Sequence, residues 1–185
     1  MIDQIVINDV ADRLIGLSKR VRSVSLPEGP DVFPSETIKF SEVTENKQRP
    51  FLGRVSTWEK EHKGDCSYIY IISVKDDVDI EACCAAFKAS KDKKERAYAR
   101  LNGGLSKTLY VGSSLKIKTR INEHLGFHKS KSTYSLQIKH WATNIEGAFQ
   151  ISIWRFDNGD KKVIQTIEDG IWANLNPVFG RQGSK

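Results

Sequence analysis

The chain has 185 residues, 39% of them hydrophobic and 28% charged, which is enough for one proper core and ordinary for a globular protein. Three cysteines, two of them adjacent (Cys83 and Cys84), exclude a disulfide framework and lack zinc-site spacing, so helix packing in a reducing cytoplasm is their expected place. No apolar run approaches a membrane span, and Met1-Ile2-Asp3 does not open a signal peptide.

The net charge of +6 is unevenly placed. Residues 1–64 carry 10 Lys/Arg and 10 Asp/Glu, whereas residues 65–185 carry 19 against 13. A basic second half fits a phosphate-rich partner.

Residues 3–23 predict an amphipathic helix with Val6, Val10, Leu14, Leu17 and Val21 on one face. Lys19, Arg20 and Arg22 sit at its C-terminal end, where the helix dipole favours cations. Such a helix docks onto the rest of the chain or a second copy, or, less readily, contacts DNA. From Pro27 to Gly64 the pattern breaks up. Pro27, Pro30, Pro34 and Pro50 forbid a long helix, and the segment reads as an irregular wrap or connector with a short strand over 36–43.

Cys66–Val74 predicts a strand in which Tyr68 and Tyr70 leave one face while Ile69 and Ile71 leave the other. Asp76, Asp77 and Asp79 then lead into a helix over Ile80–Leu101, apolar early (Cys83, Ala86, Phe87) and charged late. Lys91, Lys93, Lys94 and Arg96 form either a solvated face or a nucleic-acid-contacting arm. Asn102-Gly103-Gly104 closes this helix, and Thr108–Val111 forms a second strand.

Leu109–Gly126 is the stretch around which the chain is organised. It opens as a strand, turns at Gly112 and becomes a helix capped by Ser113 or Ser114 and stopped by Gly126. Ile117, Ile121 and Leu125 give that helix an apolar face, and Lys116, Arg120 and His124, four apart, stack along a neighbouring stripe. The stripe is either a solvated face or a site for a polyanion. Between Lys116 and Lys139 there are six Lys/Arg and one acid, Glu123, which makes Lys116, Lys118, Lys129, Lys131 and Lys139 candidate DNA contacts.

Beyond it, Ser132–Thr143 predicts a helix with Ile138 and Trp141 inward, and Ala148–Phe156 a third strand with Phe149, Ile151 and Ile153 on one face. Asp157-Asn158-Gly159 is a turn. A final helix over roughly Lys161–Asn174 has Ile164, Ile167, Ile171 and Leu175 on its buried stripe, with Glu168 beside it, and the tail to Gly183 is compact and apolar. The fold expected is α+β, layered α/β/α: a small three-stranded, mainly antiparallel sheet flanked by helices, with an N-terminal helical extension. Residues 1–64 form that extension and residues 65–185 the main domain, with an inserted helix at about 75–107.

The order Tyr68-Ile69-Tyr70, Tyr110-Val111-Gly112, Arg120, His124 and Glu168 resembles the GIY-YIG nuclease superfamily. Arg120 follows Gly112 by eight residues and His124 follows Arg120 by four, as in many members. Glu168 opens a segment, Glu-Asp-Gly-Ile-Trp-Ala-Asn-Leu-Asn-Pro, similar to the acid-bearing helix of the family. The resemblance covers about residues 66–183. Two positions depart from it: Tyr68 replaces the first motif glycine, and Gly180 stands where many members have an asparagine, whose contact would fall to Asn174 or Asn176 or be absent.

The resemblance implies metal-dependent hydrolysis of DNA phosphodiesters. Glu168 is the one obvious metal carboxylate, which suits Mg²⁺, or Mn²⁺, held by a single protein ligand and water. Arg120 would clamp a non-bridging phosphate oxygen, Tyr110 would position, and Tyr70 would orient or deprotonate the attacking water. A free phenol with a pKa of about 10 is a weak base at neutral pH, so Arg120 and His124 would have to favour its phenolate. His124 acts either in that way or as a structural or phosphate-contacting group. Tyr68 packs, and His128 and His140 are surface or DNA-proximal residues. The small body with a helical extension and an insertion looks most like the type II restriction endonucleases of the superfamily, expected as cytoplasmic homodimers on double-stranded DNA because one site cuts one strand. A phage- or repair-type nicking enzyme, or a catalytically silent binding module, is the alternative.

Overall fold

Strand pairing follows from the Tyr/Ile run of β2 (Ser67–Val74), which is bonded on both edges. In the computed structural model, which describes residues 4–62, 64–157 and 160–183, one antiparallel sheet has the order β1-β4-β2-β3. The other strands are β1 (Val32–Lys39), β3 (Thr108–Ser114) and β4 (Ala148–Phe156). Tyr70 lies opposite Gly112 on one side and Ile153 on the other. Alternation then divides the core as expected. Tyr68, Tyr70, Ile72, Phe149, Ile151 and Ile153 enter the larger cluster, whereas Ile69 joins Phe156 and Ile164 on the opposite face.

Helices cover both faces, giving the α/β/α layering. The larger cluster takes Phe51, Val55 and Trp58 from α3 (Arg49–Glu61), Cys83 and Phe87 from α4 (Ile80–Asp92), and Ile117, Ile121 and Leu125 from α5 (Ile117–Leu125). On the other face lies α6 (Lys161–Leu175), with Ile164 buried and Ile167 and Ile171 against the same patch, whereas Leu175, expected on that stripe, is exposed at the helix end. The amphipathic α1 (Gln4–Arg22) meets α6 and pairs Arg20 with Asp160, but Val6, Val10 and Leu14 remain exposed.

Several expectations need correction. The sheet has four strands, not three, because residues 27–64 are not an irregular wrap. They supply β1, the short helix α2 (Phe40–Thr44) and α3 to the same sheet and core as the rest of the chain. The short strand expected over 36–43 is the end of the longer β1, which stops at Lys39, with Phe40 and Val43 in α2. Pro34 sits where the β1 ladder slips between Phe33 and Glu36, on an edge strand that tolerates it, and Pro50 occupies the first turn of α3, where no N–H is required. The helix expected to reach Leu101 stops at Asp92. Beyond it, Tyr98 bridges to Ser135 and Leu101 to Phe179.

Residues 132–143 form only two 3₁₀ turns, Ile138–His140 and Ala142–Asn144, although Ile138 and Trp141 are inward as expected. Neither Ser113 nor Ser114 caps α5. β3 runs through both, and Lys116 precedes the helix without a side-chain cap. The 157–159 turn falls partly outside the described residues. All three cysteines are free, and burial pushes the Cys83 thiol up to about 12, as for an inert packing group. No described helix is long and apolar enough to cross a membrane.

The C-terminal segment is anchored by Phe179, which is fully buried with its ring 4.3 Å from that of Phe87. Phe179→Ala is expected to cost about 3–5 kcal/mol, read as a lower midpoint in chemical denaturation with an unchanged slope.

Candidate active site

Backbone register brings the two tyrosines together. Tyr70 stands in the centre of β2 opposite Gly112, and Tyr110 precedes Gly112 by two residues on β3, so both rings leave the same face. The rings lie parallel, with centroids 6.1 Å apart. Gly112 is required by this closeness: a Cβ there would stand 2.5 Å from the Tyr70 hydroxyl and 2.9 Å from the Tyr110 ring. Gly180 supports Tyr110 from the other side, with φ +104° and room for no Cβ, which would come within 2.9 Å of the ring. An asparagine at position 180 would have to displace Tyr110, so the departure from the family pattern has a steric reason. Of the two expectations for its polar contact, replacement by Asn174 or Asn176 is not met. The Asn174 amide bonds within its helix to the Gly170 carbonyl, and neither Asn174 nor Asn176 lines the cleft. Tyr68, the other departure, sits in regular register with Ser114 and Arg155 and packs on Trp58.

Arg120 ties this wall together. Its Nε donates to the Tyr70 hydroxyl (3.0 Å) and its Nη1 to Glu123 (2.7 Å), while Nη2 donates to the Tyr110 hydroxyl (3.2 Å) and the Tyr134 carbonyl (3.2 Å). Four of five guanidinium hydrogens are thereby used. Burial opposes its charge, but the surrounding Tyr70, Tyr110 and Glu123 oxygens outweigh that and hold the guanidinium firmly protonated.

His124 is fully buried on the next turn of α5. Its Nδ1 accepts from the Leu136 backbone N–H (3.3 Å), and burial together with Arg120 pushes its pKa well below the ordinary value. A neutral imidazole that accepts at Nδ1 carries its proton on Nε2. His124 therefore donates to the Tyr70 hydroxyl at 2.9 Å. Arg120 and His124 together fill both lone pairs of the phenol oxygen, leaving its own hydrogen for the cleft that Tyr70 lines. The expectation that these neighbours make Tyr70 a ready phenolate is corrected here. Burial outweighs the Arg120 charge and raises the Tyr70 pKa, so the resting group is a neutral phenol.

Glu168 faces the same cleft, of about 500 Å³, from α6. It is 9% exposed, and its Oε2 accepts from Ser113 Oγ at 2.5 Å. Burial raises its pKa, partly offset by that hydrogen bond. Among the described residues no group of three or more His, Cys, Asp or Glu comes together, so Glu168 would be the single carboxylate ligand of an ion. That donor fits a hard divalent cation that keeps most of its water.

The candidate DNA-contacting lysines are not gathered here. Lys116, Lys118, Lys129 and Lys131 are exposed and outside the cleft. Lys139 donates to Asn46 and lies 4.9 Å from the Phe127 ring centroid. His128 and His140 are likewise elsewhere. Instead the cleft includes Ser113, Tyr134, Gln165, Arg100 and Arg181, none of which the sequence singled out for the site, and Lys91, which it offered as part of a nucleic-acid-contacting arm. Ser113 directly follows the glycine motif, and Glu123 follows Arg120 by three residues, a spacing that puts two helical side chains in contact. Those two were readable, whereas Arg100 and Arg181 depend on long-range pairing.

Gly112→Ala is expected to abolish activity and cost about 1–3 kcal/mol, measured by turnover and by thermal melting. Glu168→Gln should raise the melting temperature of the metal-free protein at pH 7. The folded-state pKa of Glu168 lies above the unfolded value, so its contribution to stability is full below that unfolded value and lost as pH rises through the folded pKa. The advantage of the variant should therefore shrink below about pH 4.5 in melts across a pH series.

Comparison with known proteins adds one match. The family model for the GIY-YIG catalytic domain covers residues 86–181, just over half of the chain. No curated protein and no solved structure matches it. The matched segment holds Tyr110, Gly112, Arg120, His124 and Glu168, and Tyr70 joins them from the adjacent strand. Proteins of this family are nucleases that hydrolyse nucleic acid and generally use divalent metal ions. The chain belongs to the GIY-YIG catalytic domain family.

Proposed function

We propose that the chain is a DNA endonuclease that uses one Mg²⁺, with Mn²⁺ as a substitute, and cuts double-stranded DNA at defined sequences in the manner of a type II restriction enzyme. One observation carries the reading: two phenols and a guanidinium, hydrogen-bonded into one wall, share a single cleft with the Glu168 carboxylate.

Phosphodiester hydrolysis needs a water aligned with the leaving oxygen and compensation of the charge that grows on the phosphoryl group. Glu168 would hold a divalent cation, whose chemistry would be charge neutralisation at the phosphate and the departing alkoxide. Tyr70 positions the attacking water through the hydrogen it directs into the cleft. Were Tyr70 to lose its hydrogen to solvent, the Arg120 and His124 N–H groups already in place would stabilise the phenolate, which could then take a proton from the attacking water. His124 is then a donor that orients and steadies Tyr70 rather than a base. Arg120 places its positive charge beside the phosphate and offers its remaining Nη1 hydrogen. Tyr110 shares in holding that guanidinium.

The restriction-type reading is supported by the decorations of the small catalytic body, the α1 extension and the segment between β2 and β3. One active site per chain would cut one strand, so a homodimer is part of the reading, and the exposed Val6, Val10 and Leu14 of α1 suit residues 1–64 to dimerisation or DNA contact. A nicking or structure-specific endonuclease is the alternative, supported by the same cleft if the chain acts as a monomer.

A plasmid digest tests the proposal. With Mg²⁺ the wild-type protein should give discrete linear fragments. EDTA should stop the reaction, Glu168→Ala should remove activity, and Tyr70→Phe should lower the rate about 10²–10⁴-fold. Nicked circles or a diffuse smear would favour the alternative, and full activity of Glu168→Ala would overturn the hydrolase assignment.

A further inference from the structure

Arg120 is largely committed before any substrate arrives, since one of its five N–H groups is left for a phosphate. Two other arginines line the same cleft, Arg100 and Arg181. They are 81 positions apart in sequence but neighbours in the fold. Leu101 pairs antiparallel with Phe179, the Gly180 N–H donates to the Arg100 carbonyl at 2.8 Å, and the Asn102 N–H donates to the Val178 carbonyl at 2.9 Å. This strap is anchored by Val178 and Phe179, both fully buried.

The two side chains are exposed, and neither has a hydrogen-bond or ion-pair partner among the described residues. By contrast Arg13, Arg20, Arg54, Arg120 and Arg155 each pair with a carboxylate. Lys91, pinned to the Ala99 carbonyl at 3.2 Å, adds a fourth positive charge beside Arg100, Arg120 and Arg181, against Glu168 as the acid that lines the cleft. A guanidinium with all five donors free can grip a phosphate through two parallel hydrogen bonds, which Arg120 cannot do without releasing a partner.

We infer that Arg100 and Arg181 form a phosphate-binding subsite that holds the DNA backbone beside the scissile bond. The inference rests on the nuclease reading and adds the residues that carry substrate grip. Arg120 organises the wall, and the strap holds the polyanion.

Binding of a labelled duplex by Glu168→Gln protein, followed by fluorescence anisotropy across a salt series, tests this without cleavage. Adding Arg100→Gln and Arg181→Gln together should weaken binding about 10–100-fold near 0.1 M salt, make the log–log salt slope shallower by about 2, and do so equally for unrelated duplex sequences. The comparator Lys118→Gln with Lys131→Gln, which removes the same charge outside the cleft, should change both less. Both variants should melt at the temperature of the parent, because all four side chains are exposed. An unchanged slope for the arginine variant, or an equal change for the lysine variant, would overturn the inference while leaving the nuclease reading intact. Failure of the Glu168→Gln parent to bind any duplex would overturn both.

Discussion

The two hydrogen bonds received by the Tyr70 hydroxyl, from Arg120 and from His124, set the conditions for the rest of the site. They exist only because β2 is bonded on both edges in one register, which fixes Tyr70 opposite Gly112 and turns it toward α5. A slip of one residue would send Tyr70 to the α6 face and bring Ile69 or Ile71 to the cleft. The donors are constrained in turn. The Leu136 amide fixes the His124 tautomer, and Glu123 balances the charge of a guanidinium that is largely removed from water. Removing one partner from such a buried ionic network typically costs about 3–5 kcal/mol, because the remaining charge is left uncompensated. The wall is therefore rigid, and its rigidity comes from the same contacts that orient the phenols.

Glu168 belongs to the opposite layer. It reaches the cleft from α6, across the edge of β3, and the Ser113 hydroxyl links the two layers at the point where the carboxylate is needed. An ionised carboxylate in that position is disfavoured by burial, and the raised pKa measures the disfavour. The fold tolerates it because most of α6 is secured elsewhere, through Ile164 and the Ile167 and Ile171 patch on the sheet. Stability is thus concentrated in the two apolar clusters, while the cleft between them holds groups chosen for chemistry.

Much of this could be read from the sequence, and the part that could not has physical causes. Period-two alternation placed Tyr70 and Tyr110, and four-residue spacing placed Arg120 and His124, because both signals are local and set by backbone geometry. β1 is only half legible: the strand expected over 36–43 overlaps its end, but Pro34 interrupts the alternation on an edge strand, where no partner needs that N–H, and hides its start at Val32. The helix beyond Asp92 was over-extended for the opposite reason. Residues 93–102 contain good helix formers, but Tyr98, buried beside Phe87 and bonded to Ser90, and Leu101, paired with Phe179, take that stretch into extended contacts. Tertiary pairing overrode propensity there. The protonation of Tyr70 was misjudged because a sequence shows that Arg120 is near but not how completely the phenol is buried.

Where the chain leaves its helix at Asp92 is also what shapes the cleft. Had the helix continued to Leu101, Arg100 would lie on a helical surface with no link to the C-terminal segment. Because it stops, residues 99–102 lie beside 178–180, and one wall of the cleft is assembled from the insertion and the tail together. The two positive features of the site then differ in kind. Arg120, on a core helix, is saturated by phenols, a carboxylate and a carbonyl, so its charge is fixed in place and lightly hydrated. Arg100 and Arg181, on the strap, are unsaturated and hydrated. A guanidinium bound on four sides can polarise but hardly grip, and one bound on none can grip but hardly aim. A polyanion that must be both held and aligned needs the two kinds at once, and only the extended route of residues 93–102 brings them to one cleft.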